Sequence, residues 1–392
     1  MLSKNIKFKN FKKIKIQNSL KLIYYKLINQ KNEKKNLINT FTNSYVYSYD
    51  RKLIKKYKKF KTYNIYGMGG SSLGAQAIYD FMSFKINKKF NFFNNLEKKN
   101  ELKKPKNKSL SIIISKSGNT LETIVNDNIF PNKNRLYLTE NNNNYLRNLA
   151  LNLKSDIIEH KNFVGGRYSV LSEVGMLPAE LMGLESKKFK QFNKLILNKS
   201  FVTNLLKNVN SLYSLIKRKK TNSVVLNYDE SSHNIFKWYQ QLVAESLGKN
   251  SNGVLPVISE MPKDNHSLMQ LYLDGNKNAF FTFFDVLDKK SPKINKKNVT
   301  EKFAYLKRHD LQSIKLAQKQ ATKNVFKFKN IPFRSFELLN KSEETLGELF
   351  TFFMLETILL GKMMKINPFD QPAVELIKKE TKRILVYSNF PK

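Results

Sequence analysis

The chain has 392 residues, enough for two or three domains with a large core. It carries 70 Lys and Arg against 31 Asp and Glu, a net charge of +39, while 41% hydrophobic and 26% charged residues are ordinary for a globular protein. The absence of cysteine excludes disulfides and thiolate metal sites; the most apolar window, 346–364, is interrupted by Glu348, Glu356 and Lys362 and reads as a core helix, not a membrane span.

Residues 1–60 are lysine-rich, with helical apolar spacing around 20–28. The first 17 residues are basic but hold no continuous apolar stretch, so no secretory leader is expected and the chain reads as cytoplasmic. A strand is predicted over 63–66, a glycine-rich turn over 67–72 and a helix over 73–82. A β-branched strand over 110–114 leads into a polar turn at 115–120 and a helix from Leu121, and 135–138 is another short strand. This alternation is that of βαβ units in a parallel sheet. Residues 188–218 read as a helical connection. The pattern then restarts with a strand over 223–228, a helix over 232–246 and a strand over 279–286. A long helix over 343–364 and a final one over 370–383 close the chain.

The expected fold is α/β, with two doubly wound, parallel-rich domains at 61–187 and 219–340 joined by 188–218. Residues 1–60 form a helical N-terminal extension, and 341–392 form C-terminal helices packing back on the active site. Asparagine-rich 141–144 and lysine-rich 289–297 read as surface loops.

Two turns share one chemistry. Gly67-Met68-Gly69-Gly70-Ser71-Ser72-Leu73-Gly74 and Ser115-Lys116-Ser117-Gly118-Asn119-Thr120 each lie between a strand and a helix. Glycine lets backbone approach an anion closely, a helix N-terminus presents free N–H groups, and hydroxyls suit phosphate oxygens. Neither turn spells a Walker loop or a dinucleotide fingerprint. Tight turns and helix caps would use the same residues, but two such turns together favour a phosphorylated small molecule.

Four residues are candidates for proton transfer and oxyanion stabilisation. Glu245 shares a helix face with Gln241 and precedes Gly248, at a helix end that favours cations. Arg167 follows Gly165 and Gly166 in a chain whose basic residues are mostly lysine, and its guanidinium offers a rigid donor fork. His266 is one of 4 histidines, with His160, His233 and His309, and titrates near neutrality. Lys378 lies in the final helix. Taken singly, each also fits a plain structural role, and no histidine pair has metal-ligand spacing.

Together these segments resemble the phosphoglucose isomerase family. The first turn is similar to Gly-Ile-Gly-Gly-Ser-x-Leu-Gly, and residues 115–123 to Ser-Lys-Ser-Gly-x-Thr-x-Glu-Thr. Residues 165–177 resemble the Gly-Gly-Arg-Tyr/Phe-Ser signature, 241–249 Gln-x-x-x-Glu-Ser-x-Gly-Lys, 265–275 His-Ser-x-x-Gln-Leu-x-x-x-Gly, and 370–378 Asp-Gln-x-Gly-Val-Glu-x-Gly-Lys. The matches run in the family's order, with Ala373 and Ile377 replacing glycines, Pro372 where Trp is common, and Asn265 replacing Gln.

The resemblance implies two sugar-isomerase domains and the interconversion of glucose 6-phosphate and fructose 6-phosphate without metal or cofactor. It implies Glu245 as the base between C1 and C2, Arg167 stabilising the enediolate, and His266 and Lys378 assisting ring opening. Ser115, Lys116, Ser117 and Thr120 would line the phosphate site, with Gly70, Ser71, Gln241 and Gln371 contacting substrate. It further implies a homodimer in which His266 crosses to the partner. A non-catalytic phosphosugar sensor, or an isomerase that also accepts mannose 6-phosphate, would share the second turn. The scattered lysines accord with A/T-rich coding, and with no basic helix or aromatic platform in the sequence, neither a nucleic-acid nor a membrane partner is expected.

Overall fold

The computed structural model describes residues 1–11, 15–96, 108–288 and 290–387. Residue 289 of the loop expected over 289–297 lies outside them, as do residues 12–14 of the N-terminal segment. The chain opens with strand β1 (Ile6–Lys9) and helices α1 (Asn18–Asn29) and α2 (Arg51–Tyr57). A first α/β unit runs β2 (Thr62–Tyr66), α3 (Leu73–Phe81), β3 (Lys89–Phe93), β4 (Ser109–Ile114), α4 (Leu121–Ile129), β5 (Arg135–Thr139), α5 (Tyr145–Asn152), β6 (Asp156–Glu159) and α6 (Glu173–Met182). Helices α7 (Phe192–Leu197) and α8 (Lys199–Lys217) lead to a second unit: β7 (Asn222–Asn227), α9 (His233–Leu247), β8 (Leu255–Glu260), α10 (Met269–Asp274), β9 (Ala279–Val286), α11 (Leu311–Phe328) and β10 (Phe333–Leu338). Helices α12 (Glu343–Met363) and α13 (Val374–Tyr387) follow.

The first sheet has the order β3-β2-β4-β5-β6 and is parallel throughout. The second has the order β1-β10-β9-β7-β8 and is parallel except for β1, which pairs antiparallel with β10. Both units wind alike: the first strand has the second on one side and the third on the other. Ligands of open α/β sheets bind outside the carboxyl ends of the strands at such a switch point. In the first unit that crevice lies between β2 and β4, where the two glycine- and hydroxyl-rich turns begin.

Strand β1 departs from the expectation that 1–60 is helical. Ile6 sits opposite Leu338, and the Phe8 ring lies 4.6 Å from Phe336, so burial on the second sheet overrides the lysine-rich local composition.

Burial explains the rest. Every residue of β4 is buried, as in a sheet covered on both faces. Ile112 and Ile114 join the main core with α3, α6, α9 and α12, while Ile113 joins Tyr66 and Tyr137 on the other face. Helices α3 and α9, which follow the first strands of the two units, pack against each other and bring both units to one crevice. Helix α12 is buried almost throughout, and its Glu356 meets the fully buried Arg334 of β10. Among the described residues no helix is long and apolar enough to cross a membrane.

The C-terminal region differs from its expectation. Helix α12 is core and residues 368–371 reach the crevice, but α13 does not pack back on it. Nearly all its residues are exposed, among them Leu376, Ile377, Leu385 and Val386, because none of the described residues covers its apolar side.

Candidate active site

The second turn, residues 115–120, joins the buried strand β4 to α4, whose first turn carries Glu122. Gly118 has φ +65°, and a Cβ there would fall 1.7 Å from Asn144 Oδ1. The turn is braced by α5: the Leu146 N–H donates to Gly118 O at 3.0 Å, and the Tyr145 N–H to Asn119 Oδ1 at 3.1 Å. Asn144 is therefore no surface-loop residue. It is buried, caps α5 by accepting from the Arg147 N–H at 2.9 Å, and supports the turn. The Ser115 and Thr120 hydroxyls lie 2.8 Å apart, Ser117 is exposed at the rim, and Lys116 Nζ donates to Asn162 O at 2.7 Å.

Beside Asn162, His160 is 2% exposed. Its Nδ1 lies 3.1 Å from Lys161 O, and burial pulls the imidazole down to about 4, so it is neutral.

The first turn stands next to the second: a Cβ on Gly67 would lie 3.1 Å from Ile114 O. Gly70 packs on the loop that carries Arg167, and a Cβ on it would lie 2.2 Å from Gly166 C and O. Only glycine allows this approach. Ser71, in the same turn, is half-buried at the crevice end of α3.

Arg167 is 1% exposed and every donor direction is used. Its Nε donates to Ser246 Oγ at 2.8 Å, Nη1 to Glu245 Oε1 at 2.9 Å and Gln371 Oε1 at 2.8 Å, and Nη2 to Pro368 O at 2.7 Å and Asp370 O at 3.0 Å. Tyr168 OH lies 2.8 Å from Ser246 Oγ and donates to Pro368 O at 3.1 Å, and burial raises that phenol to about 12. Trp238 Nε1 holds Arg167 O at 3.2 Å. Lys190, buried behind this loop, donates to the carbonyls of Leu171 and Thr40, and desolvation lowers its ammonium to about 7.

Helix α9 supplies Trp238, Gln241, Glu245 and Ser246, so one rigid element sets both members of the Arg167–Glu245 pair. Gln241 Nε2 donates to Glu245 Oε2 at 2.9 Å, while Gln241 Oε1 is buried without a partner. Lys249, just past α9, pairs with Asp370 at 2.7 Å; its hydrogen bond holds that carboxyl below the usual carboxylate range and ties the 368–371 segment to the site.

The structure thus gathers Gly70, Ser71, Arg167, Gln241, Glu245 and Gln371 in one crevice, with Ser115, Lys116, Ser117 and Thr120 in the adjoining turn. It does not bring His266 or Lys378 there. His266 is exposed after β8, and Lys378 is exposed on α13, paired with Glu375 at 2.6 Å. Sequence reading passed over Trp238, Tyr168, Ser246 and Asn144. The chain's single Trp and an Asn directly before a helix were available signals. Among the described residues no three His, Asp or Glu side chains gather as a metal site.

Two like-wound, parallel-rich sheets, with a hydroxyl-rich turn and a buried arginine paired to a glutamate at the crevice, define a sugar-isomerase-type phosphosugar fold. The fold matches a hypothetical protein of Thermus thermophilus (TM-score 0.81, 23% identity, covering 94% of each chain) and a glucose-6-phosphate isomerase of Chlamydia trachomatis (TM-score 0.69, 19% identity, 87% of this chain and 73% of that one). The phosphoglucose isomerase family model matches residues 26–389, and the glucose-6-phosphate isomerase of Methanocaldococcus jannaschii is 33% identical over 363 residues, 86% of this chain and 88% of the relative. The chain belongs to the phosphoglucose isomerase family.

Proposed function

We infer that this chain interconverts glucose 6-phosphate and fructose 6-phosphate, the step shared by glycolysis and gluconeogenesis, in the cytoplasm. The observation that carries the reading is the Arg167–Glu245 pair, held 2.9 Å apart beside a hydroxyl-rich turn in a chain of this family.

The substrate phosphate accepts hydrogen bonds from Ser115, Ser117, Thr120 and backbone N–H groups of the 115–120 turn, with Lys116 adding charge. The sugar extends toward Gly70, Ser71, Gln241 and Gln371, where Gln241 Oε1 is a buried acceptor free for a sugar hydroxyl. Glu245 takes the proton from C2 of the open-chain aldose and returns it to C1, while a proton passes from O2 to O1. Arg167 faces the negative charge that grows on the enediolate oxygens; being fully hydrogen-bonded already, it needs no reorganisation as that charge forms.

His266 and Lys378 are assigned to ring opening. His266 serves the site of a second copy in a homodimer. The same partner gives the exposed apolar side of α13 a cover, since an isolated helix of this length is marginal in water.

Turnover in deuterated water tests the chemistry. An enediolate intermediate predicts deuterium at C2 of glucose 6-phosphate formed from fructose 6-phosphate. Product wholly free of deuterium would point to hydride shift and remove Glu245 from its role.

A further inference from the structure

Between β9 and α11 the chain makes an excursion, residues 287–310, that contributes nothing to the crevice. It encloses a hollow of about 540 Å³ lined by Lys293, Lys296, Lys307, Arg308 and His309. The one carboxylate in the lining, Asp310, is committed to capping α11 through the Ser313 N–H at 2.7 Å. Among the described residues no ion pair joins Lys293, Lys296, Lys307 or Arg308 to a carboxylate. Elsewhere on this chain lysines with carboxylate neighbours do pair, as Lys315 does with Glu230. Four cations therefore line one hollow with a single carboxylate among them, a net positive patch that favours an anionic ligand.

Two aromatic side chains stand on the segment that carries Lys307 and Arg308. Phe303 and Tyr305 are 45% and 56% exposed, with ring centroids 6.2 Å apart. They sit on the short 3₁₀ segment Glu301–Arg308, kinked at Phe303. With three residues per turn, Tyr305 and Arg308 share one side of it. Large apolar rings left in water beside unpaired cations combine the two parts of a platform for single strands: a charged track for phosphates and π-faces for bases.

We propose that this excursion binds single-stranded nucleic acid, with the backbone phosphates along Lys293, Lys296, Lys307 and Arg308 and a base stacked on Tyr305 or Phe303. The proposal is independent of the isomerase reading. No such platform was visible in the sequence, where these residues are spread through a generally basic stretch; the antiparallel bridge between Lys293 and Asp310 and the 3₁₀ segment bring them together. A second copy of this chain is the poorer occupant, because a body of net charge +39 is repelled by its own kind at a cationic patch.

The test uses the full-length protein and a fluorescent oligouridylate of about 12 nucleotides, with inorganic polyphosphate as a ligand lacking bases. Replacing Lys293, Lys296, Lys307 and Arg308 together by Ala lowers the slope of log affinity against log salt by about 3, roughly 0.7 per phosphate contact. Tyr305→Ala weakens the oligonucleotide about tenfold and leaves polyphosphate unchanged. Isomerase turnover stays at the wild-type level in both variants, which reports that they are folded. The control, Ala at Lys52, Lys55, Lys58 and Lys59 on and after α2, leaves binding intact. Equal losses in the two quadruple variants would reduce the effect to diffuse charge and overturn the site. Altered oligomeric size on gel filtration of the excursion variant would make the face a protein interface, which also overturns it.

Discussion

Arg167 Nη1 lies 2.9 Å from Glu245 Oε1, and the residue after Glu245, Ser246, accepts from Arg167 Nε at 2.8 Å. One turn of α9 therefore sets the position of the Glu245 carboxylate and the direction of the guanidinium together. A lysine at 167 keeps the charge but loses the fork that reaches Ser246, Glu245, Gln371 and the Pro368 and Asp370 carbonyls at once.

Arg167→Lys should lower kcat about 100-fold or more, since the lost fork is what holds the cation and Glu245 in register for the developing charge, with a much smaller change in KM. Steady-state kinetics check this; a KM effect with kcat preserved would place Arg167 in ground-state binding.

Gly70→Ala should be as damaging although it removes no functional group. The new Cβ would sit 2.2 Å from the Gly166 carbonyl, so the arginine loop must move away from the first turn. A displacement near 1 Å costs about 100-fold in rate. Activity close to wild type would mean that the crevice tolerates a separation the packing argues against.

Thr120→Val keeps the volume and deletes one hydroxyl from the 115–120 turn. Losing a hydrogen bond to a charged group raises KM about tenfold, with kcat little changed. A fall in kcat alone would count against phosphate anchoring at this turn.

His160 gives a pH signature in stability. Burial lowers its folded-state value to about 4, below the unfolded value of 6.5, so the unfolded chain binds more protons between them. Its contribution is present in full above pH 6.5 and is lost as pH falls through 4, amounting to about 3 kcal/mol across that window. Denaturant melts of wild type and His160→Gln from pH 7 to pH 4 should converge as pH falls; parallel profiles would mean that His160 is not buried and neutral.

The central strands were legible and the edges were not. Strands β2, β4, β5, β7 and β9 are covered on both faces, so they appear as predominantly apolar runs. Four of the strands missed, β1, β3, β6 and β8, are the outermost of the two sheets, and they mix polar and apolar residues because one side meets solvent. The fifth, β10, hides behind Arg334, whose burial depends on Glu356 more than twenty residues later. The crevice residues were legible because each lies in a compact segment. Their supports were not: Trp238, Asn144 and the Pro368 carbonyl act across long separations that no local pattern records. His266 and Lys378, both named from the sequence, do not meet the crevice within one chain.

The most direct test is a coupled assay of the purified protein with fructose 6-phosphate in excess chelator, following glucose 6-phosphate, for wild type and Glu245→Gln. The account predicts chelator-insensitive turnover by the wild type and a loss of about 100- to 10,000-fold in the variant, with substrate still bound. Wild-type protein that binds the phosphosugar without converting it, or a variant that turns over normally, would contradict it.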